Sequence, residues 1–269
     1  MTVHYQLKAD YKRWAIIIAA SLLVILLFIY KAYTYLLPTL TEYLAAQLPT
    51  DAKQQISTRT LKQLDANTLT KSKLSLDQQA RFNALFSSLI ENYKSTSLQA
   101  EPLEFQLLFR NWPDTANAMA LADGTIIVTD KLVDLIENDK QMAAILLHEI
   151  AHVKLNHQIE NLVQLSVMSV SMVVILGDTS TLSSLLLQGA AIGTLLSYSR
   201  QAEREADSYA AIQMMVHYQD VQPFINILTR LKAQSLQDQQ ASQPSWFSTH
   251  PDISARINNI NQAIAAKTP

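Results

Sequence analysis

The stretch QMAAILLHEIAHVKLNH, residues 141–157, decides the fold because it combines an apolar helical pattern with a spaced pair of histidines. The apolar residues recur at helical intervals and predict a buried helix. His148 and His152 are four residues apart, so on a helix they lie about 40° apart around the axis and both imidazoles can reach one metal ion. Two histidines on a buried helix need a polar partner, which a shared metal ion would provide.

Glu149 directly follows the first of these histidines, giving the HExxH pattern. In HExxH zinc hydrolases this carboxylate polarises a water molecule and collects its proton. We therefore expect His148 and His152 to bind zinc and Glu149 to act as general base. The alternative is a pair of core histidines that are satisfied by hydrogen bonds alone.

A third ligand is expected from SRQAEREADSYA, residues 199–210, because a catalytic zinc ion has three protein ligands and an open fourth position. Glu203 and Asp207 share one helix face, whereas Glu205 points roughly 200° away and is expected to face solvent. We assign Glu203 as third ligand and Asp207 as the carboxylate that orients a ligating imidazole. Glu205 remains a weaker alternative ligand. His157 lies close to 180° around the first helix from His148 and is expected at the surface.

The composition excludes several classes of function. With 21 Lys plus Arg against 23 Asp plus Glu, the chain has no general basic field for nucleic acid. Its four glycines are too scattered to build a dinucleotide or Walker loop, so no nucleotide partner is expected. The absence of cysteine leaves only His, Asp and Glu to bind a metal.

The N-terminal region predicts a membrane anchor. Residues 14–30 form an uncharged apolar run of 17 residues, about 25 Å as a helix. A cleaved signal peptide is the competing interpretation, but no small-x-small cleavage site closely follows the run. Lys8, Lys12 and Arg13 precede it, which favours a cytoplasmic N-terminus, residues 1–13, and a signal anchor, residues 14–35. The rest of the chain would then lie on the outer, periplasmic side of a bacterial inner membrane.

The remaining chain predicts an α+β fold that is mainly helical. We expect a linker and first helical segment over residues 36–74 and a catalytic domain over residues 75–269. Ser75 and Gln78 form a capping box, and a small antiparallel sheet is expected from three short apolar runs. The runs are residues 103–110, 116–121 and 125–129. Residues 161–199 are an apolar helical hairpin that either packs over the core or enters the bilayer.

Four motifs, in this order, resemble the HtpX-like and Oma-type membrane metallopeptidases, peptidase family forty-eight of the metallo class. They are NAMALADGTIIVTDKLV (117–133), HEIAHV (148–153), SRQAEREAD (199–207) and STHPDISARI (248–257). The resemblance implies a zincin fold of gluzincin type and a zinc endopeptidase with one Zn²⁺ per chain. Its ligands would be His148, His152 and Glu203, with Glu149 as base and His250 near the site. The chain departs from the family's Pro-Gly-Gly turn, which here is Ala122-Asp123-Gly124.

Two functions from different classes are compatible with these residues. One is a membrane-anchored zinc endopeptidase in quality control of membrane or envelope proteins, which binds extended protein or peptide substrates along Asn117, Ala118 and Met119. The other is a catalytically idle, membrane-tethered binding or chaperone module with a structural zinc. Glu149 favours the first, because a structural zinc site closes four positions with protein ligands and needs no adjacent base.

His250 has three possible roles. As a neutral imidazole it can occupy the fourth zinc position and keep the enzyme latent, or it can donate a hydrogen bond to the oxyanion of the tetrahedral intermediate. The third possibility is an exposed helix cap, since Pro251 follows it at the start of a predicted helix.

Overall fold

A computed structural model describes residues 2–96, 104–176, 198–240 and 249–265. The N-terminal helix α1, Thr2–Lys31, continues through a π-helical segment, Ala32–Leu36, into α2, Leu37–Gln47. Within it, Tyr11–Gln47 is long and apolar enough to cross a membrane. Large apolar side chains such as Phe28 are exposed along this helix, as expected of a surface that meets lipid rather than protein.

Residues 36–74, expected to begin as a linker, are mostly helical. After α2 come α3, Thr50–Asn67, and the short strand β1, Thr70–Lys71. Pro49 is the N-cap residue of α3, where a proline removes no intrahelical hydrogen bond because the first amides of a helix have no partner. Pro38 lies in the first turn of α2, directly after the π-helical segment, so the hydrogen-bonding pattern of the continuous helix changes next to the residue that has no amide to donate.

Helix α4, Leu76–Thr96, begins where the capping box predicts. The Gln78 amide donates to Ser75 Oγ, and the Ser75 amide donates to Gln78 Oε1. One face of the helix enters the main core through Phe82, Phe86, Leu89 and Ile90.

The small sheet has one pairing that the sequence analysis got wrong. It contains β2, Gln106–Asn111, β3, Ala118–Ala120, and β4, Thr125–Thr129, in the order β1-β2-β4-β3. β3 pairs with β4 and β1 with β2 in antiparallel orientation, but β2 and β4 are parallel, so the sheet is mixed. Every residue of β4 is buried, so both of its edges must find hydrogen-bond partners inside the protein. β2 supplies the second edge.

Helix α6, Asp139–Lys154, is the centre of the molecule, and its residues from Gln141 to Val153 are buried. The other helices are α5, Asp130–Leu135, α7, His157–Leu176, α8, Arg200–Tyr218, α9, Gln222–Gln240, and α10, Ile253–Ala265. The prediction of a mainly helical α+β fold with a small sheet is therefore confirmed. α7 includes the first arm of the predicted hairpin and packs against α2. The second arm lies outside the described residues.

Candidate metal centre

Four side chains from three parts of the chain converge at one buried point. His148 and His152 come from α6, Glu203 from the first turn of α8, and His250 from the segment before α10. Each offers one ligand atom, and these atoms lie within 4.8 Å of one another. All four residues are at most 1% exposed. This group contains each ligand that the sequence analysis named, together with His250.

The separations between the ligand atoms fit a tetrahedral zinc ion. Bonds of roughly 2.0 to 2.1 Å to zinc would place neighbouring ligand atoms about 3.3 Å apart. His152 Nε2 lies 3.0 Å from His148 Nε2 and 3.3 Å from Glu203 Oε1. His250 Nδ1 lies 2.9 Å from the same oxygen and 3.4 Å from His148 Nε2. Imidazoles and one carboxylate are a donor set that suits zinc, so the residues present fit this metal.

Local sequence determines where the two ligand helices begin. The Asn138 side chain caps α6 by accepting a hydrogen bond from the Gln141 amide, and Ser199 caps α8 by accepting one from the Ala202 amide. Both are preferred N-cap residues. The cap at Ser199 fixes Glu203 one turn into α8, where the helix packs against α6.

Glu149 lies beside this group and is fully buried. Neither of its carboxylate oxygens has a hydrogen-bond partner among the described residues. Burial raises the pKa of its carboxyl above the ordinary value, and the nearby His250 and His148 oppose that rise. His250 Nε2 lies 3.6 Å from Glu149 Oε1, which is too far for a hydrogen bond but close enough for an ion pair. A buried carboxylate without a hydrogen bond is costly. Its position fits a proton acceptor that serves the metal centre.

A buried network orients Glu203 and His148. Asp207 Oδ1 lies 3.0 Å from His148 Nδ1, which is where a carboxylate that orients this ring belongs. Arg256 forms two hydrogen bonds to Asp207, of 2.7 and 2.9 Å, and lies 2.9 Å from Glu203. Burial alone would raise the pKa of Glu203, but Arg256 and the nearby histidines hold it well below its ordinary value. These neighbours therefore favour the ionised form of Glu203, which is the form that a metal ligand requires.

Arg256 was missed by the sequence analysis. It is 2% exposed and lies on α10 between the buried residues Ile253 and Ile260. The sequence does place Arg256 on the apolar face of an amphipathic helix. Because arginine is almost never fully buried unless it is paired, this position could have indicated a buried acidic partner.

The expectation that His157 lies at the surface is wrong. The residue is 2% exposed, and its Nδ1 lies 2.9 Å from His152 Nδ1. It reaches the site because α6 ends at Lys154 and Asn156 adopts a left-handed conformation with φ 57°, which breaks the helix before α7 begins. His157 Nε2 in turn lies 3.3 Å from Glu205 Oε2. Glu205, the alternative ligand, contacts His157 and is not part of the four-residue group.

If His152 Nε2 binds the metal, the proton of this ring lies on Nδ1, which donates a hydrogen bond to His157 Nδ1. Because His157 Nδ1 is then an acceptor, the proton of the His157 ring lies on Nε2, which faces the Glu205 carboxylate. Tyr198, also missed by the sequence analysis, stacks on the His152 ring with centroids 3.7 Å apart. Its place directly before the N-cap Ser199 was the only signal.

Asn117, Ala118 and Met119, the three residues expected to bind substrate, do not all face the metal centre. Ala118 O lies 3.4 Å from His250 Nε2, and Asn117 Oδ1 accepts a hydrogen bond from Thr249. The Met119 side chain packs on the opposite face with Leu121 and Ile127. The edge of β3 therefore faces the metal centre through Ala118 and Asn117, but not through the Met119 side chain.

This site defines a metallopeptidase of the zincin type, in which a helix carrying two histidines and a glutamate adjoins the edge strand of a small sheet. Comparison with known families agrees: the profile of peptidase family M48 matches residues 77–264, and the chain belongs to this family. The mitochondrial metalloendopeptidase OMA1 of Schizosaccharomyces pombe is 29% identical over 153 residues. That alignment covers 55% of this chain and 43% of the yeast protein, less than half of its length.

Proposed function

We propose that this protein is a membrane-anchored zinc endopeptidase that acts in quality control of membrane or envelope proteins, with one zinc ion per chain. The supporting observation is the four-residue group beside Glu149, whose two carboxylate oxygens are buried and accept no hydrogen bond from any described residue. His148, His152 and Glu203 would hold the metal. The name of the yeast relative, a metalloendopeptidase, agrees with cleavage inside a protein chain.

The chemistry divides among the residues of the site. Zinc bound here supplies Lewis-acid chemistry that lowers the pKa of water and polarises a carbonyl group. Glu149 accepts the proton of the attacking water and returns it to the leaving amine. Asp207 and His157 hold the rings of His148 and His152 in position, while the edge of β3 orients an extended peptide.

Of the possible roles of His250, we propose that of a latch: it would occupy the fourth ligand position in a resting state. His250 Nδ1 points at the ligand group and its Nε2 at the Ala118 carbonyl, so one side chain blocks both the metal and the strand edge. A four-residue cage is also what an idle module with a structural zinc would have. Glu149 argues against that alternative, because a structural site gains nothing from a buried carboxylate that accepts no hydrogen bond from the described residues.

Zinc content tests the ligand assignment. Glu203→Gln should lower bound zinc severalfold, because a neutral amide is a poor ligand beside two neutral imidazoles. Glu205→Gln is the matched control and should retain about one zinc per chain, since Glu205 only contacts His157. Elemental analysis of the purified proteins measures both. Unchanged zinc in Glu203→Gln, with loss in Glu205→Gln, would transfer the assignment to Glu205.

The side of the membrane is a separate proposal. Lys8, Lys12 and Arg13 precede the apolar run, residues 14–30, whereas Lys31 is the only Lys or Arg in the 15 residues after it. The positive-inside rule then places the N-terminus in the cytoplasm and the catalytic domain outside. A reporter that is active only outside the cytoplasm, fused after Pro269, should be active, and one active only inside should be silent. The opposite pattern would place the catalytic domain on the cytoplasmic side.

A further inference from the structure

The edge of β3 that does not pair with β4 has a defined hydrogen-bonding direction. Ala118 and Ala120 are buried, so a peptide could pair with this edge only after the residues that cover it move. Asn117 O accepts from the Thr129 amide, and the Leu121 amide donates to Thr125 O, so these residues point their backbone groups at β4. Successive residues of a strand point to opposite edges. The backbone groups of Ala118 and Ala120 therefore face away from β4, and His250 Nε2 at the Ala118 carbonyl marks the end of this edge nearest the metal centre.

A small pocket lies at the other end of the same edge. It is formed by the chain from Ala120 to Ala122 together with α3 and α7, and its volume is about 50 Å³. The described lining carries no charged side chain; its apolar walls include Ile56, Ile159 and Leu162. One water-sized sphere occupies roughly 10 to 15 Å³. The pocket therefore has room for about three to five water-sized spheres, on the scale of one aliphatic side chain and smaller than an aromatic ring.

Gln158 connects this pocket to the metal centre. Its Nε2 donates a hydrogen bond of 3.0 Å to the Tyr198 hydroxyl, and Tyr198 stacks on His152. Its Oε1 is buried and has no hydrogen-bond partner among the described residues, although the residue lines the pocket. A buried acceptor without a hydrogen bond is destabilising. A backbone N–H of a bound peptide could donate to Gln158 Oε1 and remove this cost.

We propose that this pocket is a specificity subsite that takes one aliphatic side chain, Val, Leu or Ile, of a peptide paired with the edge of β3. The pocket is lined by Ala120, which lies two residues after Ala118 on β3. Because paired strands advance by the same roughly 3.3 Å per residue, the peptide residue at the pocket lies about two positions from the peptide residue that pairs with Ala118. Aromatic side chains are too large for the pocket, and charged ones would lose their hydration without gaining a partner. This inference rests on the proposed endopeptidase function.

Cleavage-site profiling tests the subsite. The full-length, zinc-loaded protein in detergent is incubated with a proteome-derived peptide mixture, and the cleaved bonds are mapped by mass spectrometry. One position within three residues of the cleaved bond should favour Val, Leu and Ile over Phe, Trp, Asp and Glu by about tenfold or more. Leu162→Ala enlarges the pocket and should allow Phe at that position. Ala122→Val makes the pocket smaller and should restrict the position to Ala and Gly.

Leu76→Ala is the matched control, because Leu76 is 83% exposed at the start of α4 and should leave the profile unchanged. Gln158→Leu should raise KM about tenfold with a smaller change in kcat, as expected when an acceptor that binds both ground and transition states is lost. If wild type cleaves peptides and both pocket variants keep its profile, the subsite is overturned while the endopeptidase function stands. If zinc-loaded wild type and Leu76→Ala cleave nothing, both proposals fail.

Discussion

Replacing Glu149 with glutamine is expected to lower peptidase turnover by about 10³-fold and to leave zinc content unchanged, because general acid–base catalysis contributes roughly 10² to 10⁴. Glutamine has nearly the same shape as glutamate but cannot accept the proton of the attacking water. The ligand atoms belong to other residues, so the metal should remain bound. Turnover on a protein substrate and zinc by elemental analysis give the two readouts.

Glu91→Gln is the control for this experiment. Glu91 is exposed on α4, so this substitution makes the same chemical change outside the site. It should retain wild-type turnover. Stoichiometric zinc with near wild-type proteolysis in Glu149→Gln would reject the role of Glu149 as base.

The same variant can be used to identify substrates. Because Glu149→Gln lacks the base but keeps the cleft, uncleaved substrates should remain bound to it, and proteomics of the captured proteins would identify them.

The parts of the fold that the sequence predicts are those governed by short-range pattern. The apolar spacing around His148 and His152 predicts α6, and the run TIIVT predicts β4 over the residues it occupies, Thr125–Thr129. The parallel pairing of β2 with β4 was not predictable in this way. It depends on which strand reaches the second edge of β4, and nothing local in either strand encodes that choice.

The candidate site shows the same division. The ligand group follows from helical spacing within two motifs and from one resemblance at His250. The prediction for His157 is wrong because it assumes one continuous helix through Asn156, and asparagine is among the few residues that adopt the left-handed conformation readily. Arg256 belongs to the site only because α10 packs against α8, a tertiary contact that the sequence does not reveal.

His250→Ala is expected to raise basal proteolysis about tenfold. The segment carrying His250 is fastened by the Tyr198 amide, which donates to Thr249 O, and by Thr249 Oγ1, which donates to Asn117 Oδ1. If His250 is the fourth ligand, that position is closed to substrate and water, and removing the imidazole should open it. A tenfold rise would correspond to a closed state favoured by about 1.4 kcal/mol, because such a state leaves roughly one molecule in ten open.

His217→Ala is the control, because His217 lies in the last turn of α8 and is not part of the ligand group. Initial rates on a protein substrate, self-cleavage and zinc content should be measured for both variants. A fall in turnover on the order of 10²-fold with zinc retained would instead identify His250 as an oxyanion donor, because that is the usual cost of losing one. The structure already excludes an exposed helix cap, because His250 is buried and the helix begins at Ile253. If rate and self-cleavage both stay at the wild-type level, His250 is neither latch nor oxyanion donor, and the catalytic group is limited to His148, Glu149, His152 and Glu203.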